Sequence, residues 1–424
     1  MSSREGDTDV VVVGAGLAGL AATLGLQRRG YRVWVVEAAD RPGGRVATDH
    51  VDGFTLDRGF QLLNPAYPAV RALVDVPALA PHRFWRALHV VDGERARLLG
   101  NPLDTPAALT GLIPPSTAGL RDLAALAAFS LRDAGAPARL LTGAADQSTR
   151  RELDRWGVSA DFRESVLRPF LTGVFGEAEL ATSARFFHLV WRSFTRAAPV
   201  LPAAGMQSLP QQLADRLAPG TLTLDTPVEA VHAGTVLAGG TRLVARAVVV
   251  ATDADSAAQL LPELPVPGWN GLHTFYYRTN ESPLDQPVIT IDATGDGPVV
   301  NTTVLSAAAP SYAPADASLV GALTLTGAVG ATASLQRAVR SHLARLYRTN
   351  TAGWELLADY RISHALPAMA APHRLRAPTR VSPGLYVCGD HRDTSSIQGA
   401  LASGTRAARA VTAELAGAAR RSPS

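Results

Sequence analysis

Gly14, Gly16 and Gly19 stand at G-x-G-x-x-G spacing directly after the apolar run Val10 to Val13, and Glu37 closes a second apolar run about twenty residues on. Residues of these types bind a phosphate-bearing nucleotide. Gly14 permits a tight turn, Gly16 lets main chain approach a pyrophosphate, and Gly19 lets helix and strand pack closely, with Ala15 between the first two. A carboxylate at the position of Glu37 accepts hydrogen bonds from a ribose diol, and its charge disfavours the extra phosphate of NADP. Immediately downstream, Ala38 leads into Arg41-Pro42-Gly43-Gly44-Arg45, where glycine main chain can come close to the same ligand and the arginines bring charge for phosphate oxygens. Near the far end, Gly389 and Asp390 close the stretch GLYVCGD, so that an acid after a residue without a side chain can meet a ligand hydroxyl at close range. His391 and Arg392 follow.

These groups need elements to hold them. Thr8 to Val13 reads as a buried strand, Leu20 to Arg29 as a helix stopped by Gly30, and Tyr31 to Val36 as a second strand. At the other end Gly384 to Asp390 reads as a strand and Ser396 to Leu415 as a helix capped by Ser395 or Ser396. Small residues from Gly399 to Gly404 leave its first turns thin, which suits a flat anionic ring system near its positive end. Between the ends, Gly205 to Leu217 carries an amphipathic helix, and Thr221 to Leu224, Pro227 to His232 and Arg246 to Ala251 read as strands. Helices are expected at Leu120 to Ala134, Arg150 to Phe170, Ser183 to Arg196 and Thr332 to Tyr347, and strands at His273 to Arg278, Val288 to Asp292, Val299 to Leu305 and Leu319 to Thr326. The pattern predicts an α/β chain with a Rossmann-like nucleotide domain in three pieces (1–75, 203–262, 360–424) and an inserted α+β substrate domain (76–202, 263–359).

Length agrees, since 424 residues at roughly 150 per domain suggest two or three domains. Every one of the 40 basic residues is arginine, and they are dispersed without a like-charge block, which argues against nucleic acid as a partner. Cys388 is the only cysteine, which excludes internal disulfides, CxxC redox chemistry and cysteine-rich metal sites and suits a reducing compartment. It reads as a small buried apolar residue. No apolar leader precedes the first strand and no run is long enough to span a membrane, so a cytoplasmic, soluble chain is expected, with a peripheral membrane contact left open. A second G-x-G-x-x-G, which a separate nicotinamide site would need, is missing.

Taken together, GAGLAGLAA, EAADRPGGR, LDRGFQLLNPAYP, TPVEAV, RAVVVATDADS and GLYVCGDHRDTSSIQGALASG resemble the superfamily of FAD-dependent amine oxidases, phytoene desaturases and protoporphyrinogen oxidases, with the desaturases nearest in character. The resemblance implies the GR2-type flavoprotein fold and FAD, expected to be held noncovalently because Cys388 lies in an expected strand and no cysteine follows it in the flavin loop. It places Glu37 on the adenosine ribose, Arg45 on the pyrophosphate, the backbone of Val228 on the adenine edge and Asp390 on the ribityl chain. It also points the amides of Ile397 and Gln398 at flavin N1 and O2 and lines the flavin with Gly59, Phe60 and Gln61. It further implies hydride transfer from a largely apolar small molecule to flavin N5, with oxygen or a quinone as the final acceptor. Such transfer needs positioning more than acid–base apparatus. His391 and Gln61 are candidate catalytic groups, as is Tyr276 if it is the member of the Tyr276–Tyr277 pair that faces the cavity. Asn64 reads as a ligand to flavin or substrate or as a turn cap before Pro65. Lysine is absent and no Tyr or Trp lies between His391 and Ile397, which departs from the amine oxidase pattern and places amine oxidation second. A non-redox flavin isomerase is a third reading. Substrate identity and oligomeric state are not legible.

Overall fold

The computed structural model describes residues 8–100, 105–106, 119–327 and 332–419. Its centre is β1 (Val10–Val13), four consecutive valines of which the first three are wholly buried. β-branched side chains on both faces suit a strand covered from both sides, and each such burial stabilises by about 1.5–3 kcal/mol. α1 (Leu17–Gln27) returns over the sheet and β2 (Val33–Val36) pairs parallel to β1 with Val10 opposite Val33. On the other side Ala247–Val250 pairs parallel with Val10 opposite Ala247. The full order is Arg380–Ser382, Leu385–Val387, Ala247–Val250, β1, β2, Leu222–Thr223, parallel except for the first edge strand. Strands from the start, middle and end of the chain thus meet in one sheet.

Ile397–Ala419 lies against α1, and the two backbones approach closely. A Cβ on Gly404 would stand 2.0 Å from the carbonyl oxygen of Ala18, and one on Gly25 would stand 2.8 Å from the Ala408 methyl. The small residues at the start of this helix therefore serve packing. Gly404 meets α1, and a Cβ on Gly399 would fall 1.8 Å from the Thr394 carbonyl oxygen.

A seven-stranded sheet forms the second layer, ordered Glu355–Pro367, Trp269–Thr279, Ser318–Leu325, Asn301–Val304, Ile289–Asp292, Ala87–Asp92, Arg95–Gly100. Thr332–Tyr347 covers one face through Val339 and Leu343, packed on Phe275 and Tyr277. Helices of the first insertion cover part of the other through Phe129, Leu171 and Phe187. Residue 360 falls inside the thirteen-residue strand Glu355–Pro367, so the expected boundary there cuts a strand of the seven-stranded sheet. Ala358, Tyr360 and Ile362 alternate with the exposed Asp359, Arg361 and Ser363, a period-2 pattern that marks this strand. The single helix expected over Arg150 to Phe170 is broken. Thr149–Arg155 ends at Gly157 in a left-handed conformation, Ser159 caps Ala160–Phe162, and a π-helical turn at Arg163–Leu167 leads into Arg168–Phe175.

Candidate active site

α1 begins at Leu17 with Gly16 as its N-cap and no side chain closing it. The Ala15 amide donates to one oxygen of Glu37 at 2.6 Å, and the other oxygen accepts from Ala39 N at 2.9 Å. Glu37 therefore clips the glycine turn to the segment after β2 and retains lone pairs for a further donor. Gly43 N donates to Ala15 O at 2.9 Å, which lays the second glycine turn against the first. Gly43 sits at φ +129°, and a Cβ there would strike Val46 O at 2.4 Å, so only glycine fits this turn. Beyond it the space is open. A Cβ on Gly16 would meet nothing within 4 Å, and one on Gly44 only the Gly16 Cα at 3.8 Å. Thr226 N donates to Glu37 O and Asp225 N to Ala39 O, which run the approach to Val228 alongside the same acid, with Ala38 exposed between.

Arg45 reaches across to the other end of the chain. Its guanidinium donates to Asp390 Oδ1 at 2.6 Å and to the Ala365 carbonyl at 2.8 Å, and lies 5.6 Å from the Trp269 ring. Asp390 holds the Arg45 cation more firmly than an ordinary guanidinium, against the opposing effect of burial. Arg41 does not join it. Its side chain donates to Asp49 and the Thr48 carbonyl, and Asp49 also takes both arms of Arg58 and the Tyr360 hydroxyl. Those donors hold the Asp49 carboxyl down at about 2. The charge expected from Arg41 at the ligand is thus taken up by a carboxylate on β3 (Thr48–Val51).

Gly389 N donates to Ser403 Oγ at 3.2 Å, and Asp390 accepts from the amide of His391 at 3.0 Å. Ser396 caps the last helix by accepting from Gly399 N at 3.1 Å, and the Gln398 side chain caps α2 (Pro68–Leu73) through Ala69 N at 2.8 Å. Both ring nitrogens of His391 are buried and unpartnered among the described residues, and burial pushes its pKa down to about 4. The ring is a neutral imidazole at pH 7. Cys388 is fully buried, with its thiol pushed up to about 12 by desolvation.

The other candidates are held by the protein itself. Gln61 donates its amide nitrogen to the carbonyls of Arg45 and Arg58, leaving only its oxygen for a ligand. Phe60 N donates to Thr274 Oγ1, and Gly59 lies against Ile362. Asn64 Oδ1 closes a turn by accepting from Ala66 N, while its amide nitrogen is buried without a partner among the described residues. Tyr276 and Tyr277 are both buried on opposite faces of Trp269–Thr279, so neither is an open cavity wall. Tyr276 donates its hydroxyl to Asp57 O at 2.8 Å.

Sequence reasoning missed Asp57, the last residue of β4 (Phe54–Asp57). Its side chain is 3% exposed yet accepts from Thr48 Oγ1 at 2.6 Å, Met206 N at 2.8 Å and the Tyr312 hydroxyl at 2.9 Å. Burial raises its pKa to about 6 against the pull of those donors. The one available signal was an acid closing the run FTLD just before Arg58-Gly59.

A cavity of about 10 Å³, room for a single water, lies between Arg168–Phe175, Ala184–Arg196 and the ends of Trp269–Thr279 and Glu355–Pro367. Phe175, Phe186, Leu366 and Met369 make its walls apolar, and Ser395 from the loop after Asp390 forms part of the lining.

These features suit a long dinucleotide. No atom stands over Gly16 within 4 Å of where a Cβ would be, the start of α1 beside it is uncapped by any side chain, and His391 has two buried nitrogens without a partner among the described residues. The sequence pattern of the family described as flavin containing amine oxidoreductase matches residues 17–412. The chain belongs to this family. Its cofactor is FAD, and the fold is that of the FAD-dependent amine oxidases and protoporphyrinogen oxidases. The chain is similar to phytoene dehydrogenase of Streptomyces griseus, 55% identical over 60 residues that cover 14% of this chain and 12% of the relative. It is also similar to putrescine oxidase of Kocuria rosea, 45% identical over 80 residues covering 19% and 17%. These matches span under a fifth of the length of the curated relatives. A crystal structure of an oxidoreductase from Methanosarcina mazei superposes with TM-score 0.73 at 16% identity, covering 95% of this chain and all of that one, and shows the shared fold. No helix among the described residues is long and apolar enough to cross a membrane.

Proposed function

We propose that this flavoprotein dehydrogenates a largely apolar small molecule, with oxygen or a quinone restoring the cofactor. FAD, when bound, supplies a two-electron acceptor for a hydride from a substrate C–H bond. Glu37 holds the adenosine ribose, the backbone of Val228 the adenine edge, and the Gly14–Gly16 and Gly43–Gly44 turns with Arg45 hold the pyrophosphate. Arg45 can do this while bonded to Asp390, because a guanidinium has five N–H donors and only two of its nitrogens are engaged. Asp390 meets the ribityl chain, and the amides of Ile397 and Gln398 at the helix start favour negative charge on the ring. Desaturation also removes a proton from the neighbouring carbon; His391, beside Asp390, has one accepting ring nitrogen without a partner among the described residues, and its pKa of about 4 makes it a weak base for that proton. Gln61 and Tyr276 are positioning residues, since their donors hold main-chain carbonyls.

The similarity to phytoene dehydrogenase, together with the absence of lysine, is the observation that most supports an apolar substrate. A second reading, amine oxidation, is favoured by the similarity to putrescine oxidase and weakened by the absence of lysine. Anaerobic titration of the yellow protein with terpenoids, porphyrinogens and amines separates the two. Bleaching by a terpenoid or porphyrinogen, with a product lighter by two hydrogens, supports dehydrogenation of an apolar substrate. Bleaching by amines alone transfers the assignment to the second reading.

A further inference from the structure

Leu120–Gly135 is apolar on its outer face as well as its inner one. Inward, Ala125 and Phe129 pack into the helical layer of the first insertion. Outward, Leu120, Ala124, Ala127, Leu131 and Gly135 recur at helical spacing and are all exposed, where a helix facing water carries polar residues. Leu120 is 87% exposed and Leu131 76%, and Leu140 in the next short helix, Ala138–Thr142, is 64% exposed. A single leucine in water is ordinary, but a stripe of them along consecutive elements marks a surface that an apolar partner covers.

The charges around this face have one sign. The acids of Leu120–Gly135 are turned inward, where Asp122 accepts from Ser159 N and Oγ and Asp133 pairs with His188. Between Gly119 and Ala145 the exposed charged residues are Arg121 and Arg139. Arg185 and Arg196 join them at the rim, donating to the carbonyls of Ala144 and Ala134. Arginine can lay its methylene stem along apolar surface while its guanidinium meets phosphate.

We propose that this face docks the protein on a bilayer containing anionic lipid, with the leucines entering the acyl boundary and the arginines meeting headgroup phosphates. The contact is peripheral, since no described helix is long and apolar enough to cross a membrane. A second copy of the chain suits the face less well, because a twofold contact sets arginine toward arginine with no exposed acid between them. The proposal concerns the surface alone and does not rest on the dehydrogenase reading.

The test is co-sedimentation of the FAD-loaded protein with vesicles of phosphatidylcholine, alone or mixed with phosphatidylglycerol. The parent is expected to bind the mixed vesicles, more weakly as salt rises, and to bind the neutral ones poorly. L131E/L140E should lower that affinity by more than about 10-fold with FAD content and melting temperature unchanged, since both side chains are exposed. R121Q/R139Q should lower it about 5-fold for each arginine removed and leave binding to neutral vesicles as it was. Absence of binding to either vesicle, or parent-like binding by L131E/L140E, overturns the proposal. A polarity-sensitive dye on L131C, placed selectively because Cys388 is buried, should shift to the blue only when mixed vesicles are added. Blue emission in buffer alone means that the face is already covered, by a second copy if the sedimenting mass is a dimer and by the chain itself if it is a monomer, and either result overturns the proposal. Bleaching by the substrate panel is read separately: vesicle binding without bleaching keeps the docking face and removes the dehydrogenase reading, and bleaching without vesicle binding does the reverse.

Discussion

Asp57 shows how much one buried carboxylate can organise. It gathers donors from β3, from Met206 in the middle of the chain and from Tyr312 in the second insertion, while its own carbonyl takes the Tyr276 hydroxyl. The next residues, Arg58 to Gln61, form the loop assigned to the flavin. Replacing Asp57 by Ala strands three buried donors at about 1–3 kcal/mol each, so D57A is expected to lose FAD and to unfold at markedly lower urea. D57N keeps the shape, and the Tyr312 hydroxyl can turn to accept from the new amide. A folded pKa of about 6 lies above the ordinary carboxylate value of roughly 3.9, so the folded state binds this proton more tightly than the unfolded one. The stability it contributes is greatest below about pH 3.9 and is lost as pH rises through 6. Urea unfolding across pH 4 to 8 should show that slope in the parent and a flatter one in D57N, with a difference on the order of 2–3 kcal/mol over the range. Parallel curves would contradict this account of Asp57.

At the scale of elements, the contact between α1 and Ile397–Ala419 joins the two ends of the chain. Its closeness depends on glycine because the carbonyl of Ala18 occupies the place where a Cβ on Gly404 would go, 2.0 Å away. G404A therefore forces the helices apart. A cost of about 1–3 kcal/mol is expected, visible as a lower melting temperature. The separation also moves the start of the last helix relative to the glycine turn, so FAD affinity should fall with stability. G30A offers the contrast, since a Cβ there meets nothing within 4 Å and any cost comes from its φ of +83° alone. If G404A binds FAD as tightly as the parent, the helix contact does not set the cofactor cleft.

On the scale of the whole molecule, the helical layer of the first insertion is pinned by a buried charge cluster. His188 Nδ1 lies 2.6 Å from Asp133 and Nε2 3.1 Å from Glu152, which tie together Leu120–Gly135, Thr149–Arg155 and Ala184–Arg196. Arg132, Arg155, Gln147 and Trp156 face the same carboxylates. The two acids raise the His188 pKa against desolvation, and hydrogen bonding from His188 lowers Glu152 to about 2. For His188 the stability is fully present below about pH 6.5 and is lost as pH rises through its folded value. For Glu152 it is present above roughly 4.3 and is lost as pH falls toward 2. The layer is thus firmest in mildly acid solution. H188A removes the buried cation that the two carboxylates share, with an expected cost of about 3–5 kcal/mol, and H188Q should flatten the alkaline limb of the stability curve. Limited proteolysis in the first insertion on either side of pH 7 reads this directly.

The cofactor half of the molecule is legible in the residues alone, because its logic is local. Strand, glycine turn, helix and acid follow one another within the stretch from Val10 to Glu37, and each has a backbone or charge reason to be where it is. The length and partners of Glu355–Pro367 were not legible, because a strand with one exposed face and several charges declares itself only when Trp269–Thr279 lies beside it. The same holds for side chains whose roles come from distant partners. Arg41 meets Asp49, Tyr276 meets Asp57, and the buried hydroxyl of Ser395 has no partner among the described residues. Local spacing determines how the backbone turns and which charges lie near a turn. Whether a polar group is satisfied, buried or free for a ligand depends on segments hundreds of residues away, and only the tertiary structure brings those together.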